Sequence, residues 1–253
     1  MSIIRPRVWT KQPQFDAGMV DSYKDATTVW MPHSKLINLG TSKTIYTQNG
    51  TQVYVPTSGS VGLKGAAYAA KNYLQSPDMS PVTSWPGVTV ICVIYIDSTV
   101  SNSNYPPIIG FNPRWTGFDY GGYALRIEKD SSGNTSALFK AGNNSTGILT
   151  STSLFNGGSQ LATIIGSWDK STLRMVGRGE KCGSFAPTPV SATNSWATDT
   201  PWREYVLGGY YSASDRTTLH PVHALVVLPR ALPVSEMVSI ADNPWQIFRP
   251  RVT

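Results

Sequence analysis

The sequence predicts an all-β fold, two antiparallel sheets stacked as a sandwich, with a single short helix near the C-terminus. Three observations predict it: ten or more short β-branched segments, turn signals between them, and little charge. Charged residues are 14% of the chain against 40% hydrophobic, and Gly (22) and Pro (18) punctuate it, as many short strands require. Sandwiches of 253 residues occur as single units, and such a chain buries enough core to fold without disulfides or metals.

Residues 1–42 read as an extended arm, because prolines and β-branched residues in Arg5-Pro6-Arg7-Val8-Trp9-Thr10-Lys11-Gln12-Pro13-Gln14 oppose a helix. Residues 43–253 are expected to form the sandwich. Thr44–Thr47 and Thr51–Pro56 read as a hairpin about Asn49-Gly50, the strongest short hairpin cue. In 58–71 the alanines permit a helical turn and the glycines oppose one, so that stretch stays open. Val88–Asp97 is apolar at nearly every position, which places it in a central strand covered on both faces. Further strands are expected at 106–111, 122–128, 135–140, 146–151, 161–167, 172–177, 204–210 and 219–228. Turns at Ser131-Ser132-Gly133-Asn134 and Trp168-Asp169-Lys170-Ser171 separate two pairs of them. A helix is expected over 233–242, with Pro233 in its first turn, Pro244 stopping it, and Val234, Met237, Val238 and Ala241 on its packed face.

The formal charge of +6 permits acidic partners, yet the basic residues are scattered without a Lys/Arg block, which argues for a solvated surface and against nucleic acid. Cys92 and Cys182, 90 positions apart, make no disulfide framework and read as unpaired. No apolar run is long enough to span a bilayer, and the N-terminus lacks the apolar core and cleavage site of a signal peptide.

The run Arg230-Ala231-Leu232-Pro233-Val234-Ser235-Glu236, followed by Asn243-Pro244-Trp245-Gln246-Ile247-Phe248, resembles the closing signature of laminin G-like, concanavalin-like domains of tailed-bacteriophage proteins. Pro233 stands where that pattern has a serine, so the usual helix cap is missing. Val88–Asp97 and Trp168–Gly179 are similar to the family's middle strand and hairpin, and Trp9-Thr10-Lys11-Gln12-Pro13-Gln14 looks like its opening peptide. The resemblance covers roughly residues 45–248 and implies a jelly-roll sandwich. It also implies a virion component, made in the host cytoplasm and displayed on head, neck or tail, with capsid, neck or tail subunits as partners. A homo-oligomer on the particle and contact with host-surface glycans follow as expectations.

The candidate sites are aromatic. Trp115, Phe118, Tyr120 and Tyr123 lie among glycines, followed by Trp196, Trp202, Tyr210 and Tyr211. Such rings either stack on sugars or dock on protein, or they close the ends of the core. In the arm, Arg5, Arg7 and Trp9 are candidate anchors for strand addition to a neighbouring subunit; the alternative is an arm packed on its own sheet.

Catalytic constellations do not stand out. No Gly-x-Ser-x-Gly elbow occurs, and Glu128 and Asp119 are the acids to weigh for a glycosidase pair about 5 to 10 Å apart. His220 and His223, three apart on an expected strand, face opposite sides and do not converge on a metal. Asp119 and Asp169 are loop acids that serve either a calcium ion at the sandwich rim or turn capping. The expectation is therefore a non-enzymatic binding or building module without cofactor or metal. A free carbohydrate-binding lectin is the alternative, and a polysaccharide-degrading enzyme stands third.

Overall fold

The computed structural model describes residues 15–57, 60–66, 72–80, 82–100, 107–112, 122–129, 135–142, 148–151, 158–193, 195–196, 202–209 and 216–250. Two antiparallel sheets face each other across a core. The nine-stranded sheet runs in the order Gly183–Phe185, Thr172–Gly179, Gln160–Trp168, Val88–Ile96, Val222–Leu228, Ser60–Gly65, Gln52–Thr57. Thr28–Trp30 and Val190–Ser191 pair with Val222–Leu228 and Thr172–Gly179 off that path. The seven-stranded sheet runs Ile148–Ser151, Thr135–Ala141, Tyr123–Lys129, Pro107–Asn112, Arg203–Val206, Leu74–Gln75, Thr47–Gln48.

The apolar run at Val88–Ile96 is central, as its composition demands. Val88, Val90, Cys92, Ile94 and Ile96 enter the core between the sheets, while Ile91 and Val93 enter a second core on the opposite face. That second core is closed by the helix Val234–Asp242 through Met237, Ile240 and Ala241. A strand with no polar face thus needs two covers, and the helix supplies one of them.

The helix lies rotated from the expected face. Val234 and Val238 are 42% and 40% exposed, and the larger Ile240 is buried in their place. The packed stripe is Met237, Ile240 and Ala241, one step around the cylinder, because the bulkier side chain takes the buried slot.

The Asn49-Gly50 turn does not close the expected hairpin. Thr47–Gln48 pairs with Leu74–Gln75 in the seven-stranded sheet, whereas Gln52–Thr57 pairs with Ser60–Gly65 in the other. Gly50 takes φ +64°, and the Asn49 N–H donates to the Tyr73 carbonyl at 2.9 Å, so the chain crosses between sheets here. The open stretch at 58–71 contributes the strand Ser60–Gly65.

Residues 15–42, the described part of the expected arm, pack against the residues that follow them. Trp30 is fully buried between the sheets, and Val29 and Met31 enter the second core. Buried Asn38 ties this segment together: its Oδ1 accepts from the N–H of Val29 (2.9 Å) and Gly40 (2.8 Å), and its Nδ2 donates to the Thr27 carbonyl (3.1 Å). Phe15–Met19 pairs with Phe248–Pro250, so the two ends of the described chain lie side by side. Arg5, Arg7 and Trp9 lie outside the described residues.

Candidate ligand-binding face

The central strands of the nine-stranded sheet carry a core on each face, whereas the outward face of the seven-stranded sheet lies outside both cores among the described residues. Register builds it. One row crosses six strands as Thr47, Gln75, Tyr205, Gly110, Ala124 and Lys140. The next row, Leu74, Val206, Ile109, Leu125 and Phe139, points into the core, as alternation along each strand requires. Tyr205 and Lys140 are three strands apart, roughly 14 Å at the usual strand spacing. Between them Gly110 and Ala124 leave a floor of small residues.

Two residues along from Ala124, Arg126 also faces outward, its Nε 3.2 Å from Glu128 Oε1. Burial raises the Glu128 carboxyl above its ordinary value, and Arg126 only partly offsets this. Tyr73 meets Tyr205 edge-on, ring centroids 5.8 Å apart. This part of the face is covered rather than open: Lys140 is 0% exposed, Arg126 4% and Tyr205 8%. Two cations and one acid thus stand on a buried outward face, chemistry that a purely structural sheet has no need to place there.

The sequence-selected aromatics divide. Tyr123, Trp196 and Trp202 are buried and offer no stacking surface. They form an end-plug of the core with Trp85, Phe111 and Trp168: Trp168 meets Trp196 at 4.7 Å, and Phe111 meets Trp202 at 5.1 Å. Large rings beside glycine are here the closure of a wide sandwich, since Gly122 lets the Trp202 ring and the Phe111 backbone approach it closely. Trp115, Phe118, Tyr120, Tyr210 and Tyr211 lie outside the described residues. Asn112 and Tyr123 lie toward the Arg203 end of the sheet, whereas Leu207, preceding Gly208–Gly209, bonds Ile108 at the other end.

Sequence reasoning missed Glu204. This buried carboxylate on Arg203–Val206 points into the core and accepts from the hydroxyls of Thr28 (2.8 Å), Tyr123 (2.9 Å) and Tyr46. Burial raises its pKa, and the three hydroxyls oppose the rise. Its only sequence signal was an acid inside a β-branched, aromatic segment.

Asp169 caps its turn, accepting from the N–H of Ser171 (3.0 Å) and Thr172 (2.8 Å) and pairing with Arg174. His220 precedes its strand, and its Nδ1 accepts the Asp97 N–H at 3.1 Å, while His223 Nε2 lies 2.7 Å from Thr57 Oγ1. Each ring is therefore committed to a different neighbour. Both cysteines carry free thiols, Cys92 inside the core and Cys182 half-buried. Among the described residues no three His, Cys, Asp or Glu are grouped to hold a metal ion, and Asp119 lies outside them. No described helix is long and apolar enough to cross a membrane.

No protein-family model and no curated protein matches this chain. Solved structures do match in fold. The enzymatically active domain of tailspike protein 2 from bacteriophage CBA120 aligns with TM-score 0.54 and 15% identity, over 81% of this chain and 33% of that one. The binding domain of botulinum neurotoxin serotype D aligns with TM-score 0.58 and 8% identity, over 88% and 53%. That of botulinum neurotoxin DC, in complex with SialylT, aligns with TM-score 0.55 and 10% identity, over 88% and 51%. The chain thus spans between a third and about half the length of these neighbours. At such identities the likeness is one of fold.

Proposed function

We propose that this chain is a non-catalytic module of a tailed-phage particle that contacts host-surface glycans, with other virion subunits as its partners. The observation that carries the reading is the outward face of the seven-stranded sheet, where Tyr205, Lys140, Arg126 and Glu128 stand outside both cores. Because much of that face is buried, it serves as the foundation, and the ligand meets the loops that leave it. Residues 113–121 join two strands of this face and carry Trp115, Phe118 and Tyr120, ring types that stack on sugars. The likeness in fold to a tailspike domain and to a toxin binding domain in complex with SialylT supports the same reading.

Binding is favoured over catalysis by how two of the described acids, buried Glu204 and half-buried Glu128, are used. Glu204 is enclosed by three hydroxyls, and Glu128 is paired with Arg126. Neither is arranged as a free partner across a scissile bond. Repetition on a symmetric particle makes weak glycan contacts sufficient.

Two measurements test the reading. Proteomics of purified virions should contain this chain, and a glycan array should show binding that Trp115→Ala with Tyr120→Ala lowers at least tenfold. A chain absent from intact particles removes the virion assignment. A wild-type array without hits removes the glycan assignment.

A further inference from the structure

Two independent features coincide on one side of the sandwich. Between Asp25 and Asp78 the chain carries no acidic residue, while Lys35, Lys43, Lys64 and Lys71 lie within that run. The same run supplies the last strand of each sheet, Thr47–Gln48 in one and Gln52–Thr57 in the other. It also holds Ile37, Ile45, Tyr54 and Val61, four of the six large hydrophobic side chains exposed among the described residues. The other two, Val234 and Val238, lie on the helix.

Local geometry brings the isoleucines together. The Asn38 N–H donates to the Thr44 carbonyl at 2.8 Å and the Tyr46 N–H to the Leu36 carbonyl at 2.7 Å, so Ile37 stands directly opposite Ile45. In such a pair both side chains share one face, with Cα atoms about 4.5 Å apart. Asn38, Thr44 and Tyr46 take the buried face, which leaves Ile37 52% and Ile45 68% exposed where alternation calls for polar residues. On the hairpin that follows, the pairs Tyr54–Leu63 and Pro56–Val61 put Tyr54, Pro56 and Val61 on a common face.

Backbone pairing does not account for this edge. The Ile37 N–H is already donated to the Ser34 carbonyl at 2.7 Å. The Ala66 N–H bonds the Thr51 carbonyl at 2.9 Å, so alternation turns the backbone of Gln52, Tyr54 and Pro56 outward, and Pro56 has no N–H to offer. An added strand meets an incomplete ladder, and a partner has to be held by side chains. A second copy brings the same lysines, and residues 1–14 bring Arg5, Arg7 and Lys11 with no acid, so neither complements the run. A nucleic-acid or polysaccharide chain leaves the isoleucines unanswered.

Resting on the reading of this chain as a particle component, we propose that the edge docks a different virion subunit through a surface of apolar side chains ringed by Asp and Glu. Ile37 and Ile45 anchor the contact, and Lys35 and Lys43, each two positions before an isoleucine, meet the carboxylates.

The test replaces Ile45 of the full chain by the photo-cross-linker p-benzoylphenylalanine, irradiates intact purified particles and sequences the cross-linked peptide. The expected product joins position 45 to a segment of another virion protein in which acidic residues outnumber basic ones. Ile37→Glu with Ile45→Glu, and Lys35→Glu with Lys43→Glu, should each lower the copies of the chain per particle about tenfold, whereas Val238→Glu should not. Should a double variant fail to fold, the cross-link decides alone. Particles that contain the chain overturn the docking proposal, while the particle assignment stands, if they give no product, a product with a second copy, or a product with a basic or neutral segment. Particles without the chain remove the assignment and the proposal with it. Cosedimentation with phosphatidylglycerol vesicles that Ile37→Glu with Ile45→Glu abolishes would give the edge to a lipid surface and overturn the proposal as well.

Discussion

The Tyr123 hydroxyl donates to Glu204 Oε2 at 2.9 Å, two strands away in the same register row, with Phe111 between them. Thr28 and Tyr46 donate to the same carboxylate, so one acid ties the N-terminal segment to the seven-stranded sheet. Leaving a buried acceptor short of a donor costs about 1–3 kcal/mol, so Tyr123→Phe should cost that much in urea denaturation at neutral pH. Burial raises the Glu204 carboxyl above its unfolded value. Its contribution to stability is therefore greatest at low pH and declines as pH rises through the folded value. Glu204→Gln should abolish that component of the pH dependence. A Tyr123→Phe cost below about 0.5 kcal/mol would show that the carboxylate does not organise the fold.

Asp169 behaves in the opposite sense. Desolvation pushes its carboxyl up, but the Ser171 hydroxyl, the Arg174 guanidinium and two backbone N–H groups outweigh it and hold the carboxyl well below the usual range. Its stabilisation is present above the unfolded carboxylate value, about 3.9, and is lost as pH falls below it. Because the side chain is 32% exposed, solvent screening limits the effect. Asp169→Asn should cost about 1 kcal/mol at neutral pH, with the gap to wild type closing in acid. A gap that stays constant with pH would mean the turn is held by something else.

What was legible in the sequence follows from how locally each feature is determined. Val88–Ile96 and the pair Gln160–Trp168 and Thr172–Gly179 were readable because an apolar run and a four-residue turn carry their own instructions. The Asn49-Gly50 signal misled because a turn preference says nothing about which strand lies across from it, and here two sheets compete for the flanks. The candidate site was read by ring type, and ring type alone did not separate Trp202, sealed in the core, from a stacking platform. Glu204 was invisible because its three donors come from residues 28, 46 and 123, brought together only by the fold.

The rotated helix gives a direct check on the second core. Met237 is fully buried and Val238 is 40% exposed. Met237→Ala should cost about 2–5 kcal/mol, and Val238→Ala within about 0.5. Equal costs would restore the face expected from valine spacing.

Close approach of the sheets predicts another asymmetry. A Cβ on Gly166 would meet the Phe139 ring at 2.3 Å, so the nine-stranded sheet accepts a ring of the other sheet directly against its backbone. Gly166→Ala should destabilise by about 1–3 kcal/mol despite adding β-compatible bulk. The double variant Gly166→Ala with Phe139→Leu should recover part of that loss. Absence of recovery in a double-mutant cycle would detach the cost from this contact.

His223 provides the last prediction, because burial moves its charge out of the usual range. The ring is buried on Val222–Leu228, its Nε2 lies 2.7 Å from Thr57 Oγ1, and desolvation lowers its pKa to about 4. The unfolded chain protonates His223 near its ordinary value, about 6.5, so between that value and the folded one it binds more protons than the native state. Stability from this residue is therefore present above the unfolded value and declines as pH falls through the window. The loss is on the order of 3 kcal/mol by the time both forms are charged. The hairpin Gln52–Thr57 and Ser60–Gly65 should loosen first, because Thr57 is tied to this ring. NMR titration of the ring should show no protonation above about pH 5, and His223→Gln should flatten the stability profile across the window. A ring that titrates at its ordinary value would place His223 in water and remove this tie between hairpin and sheet.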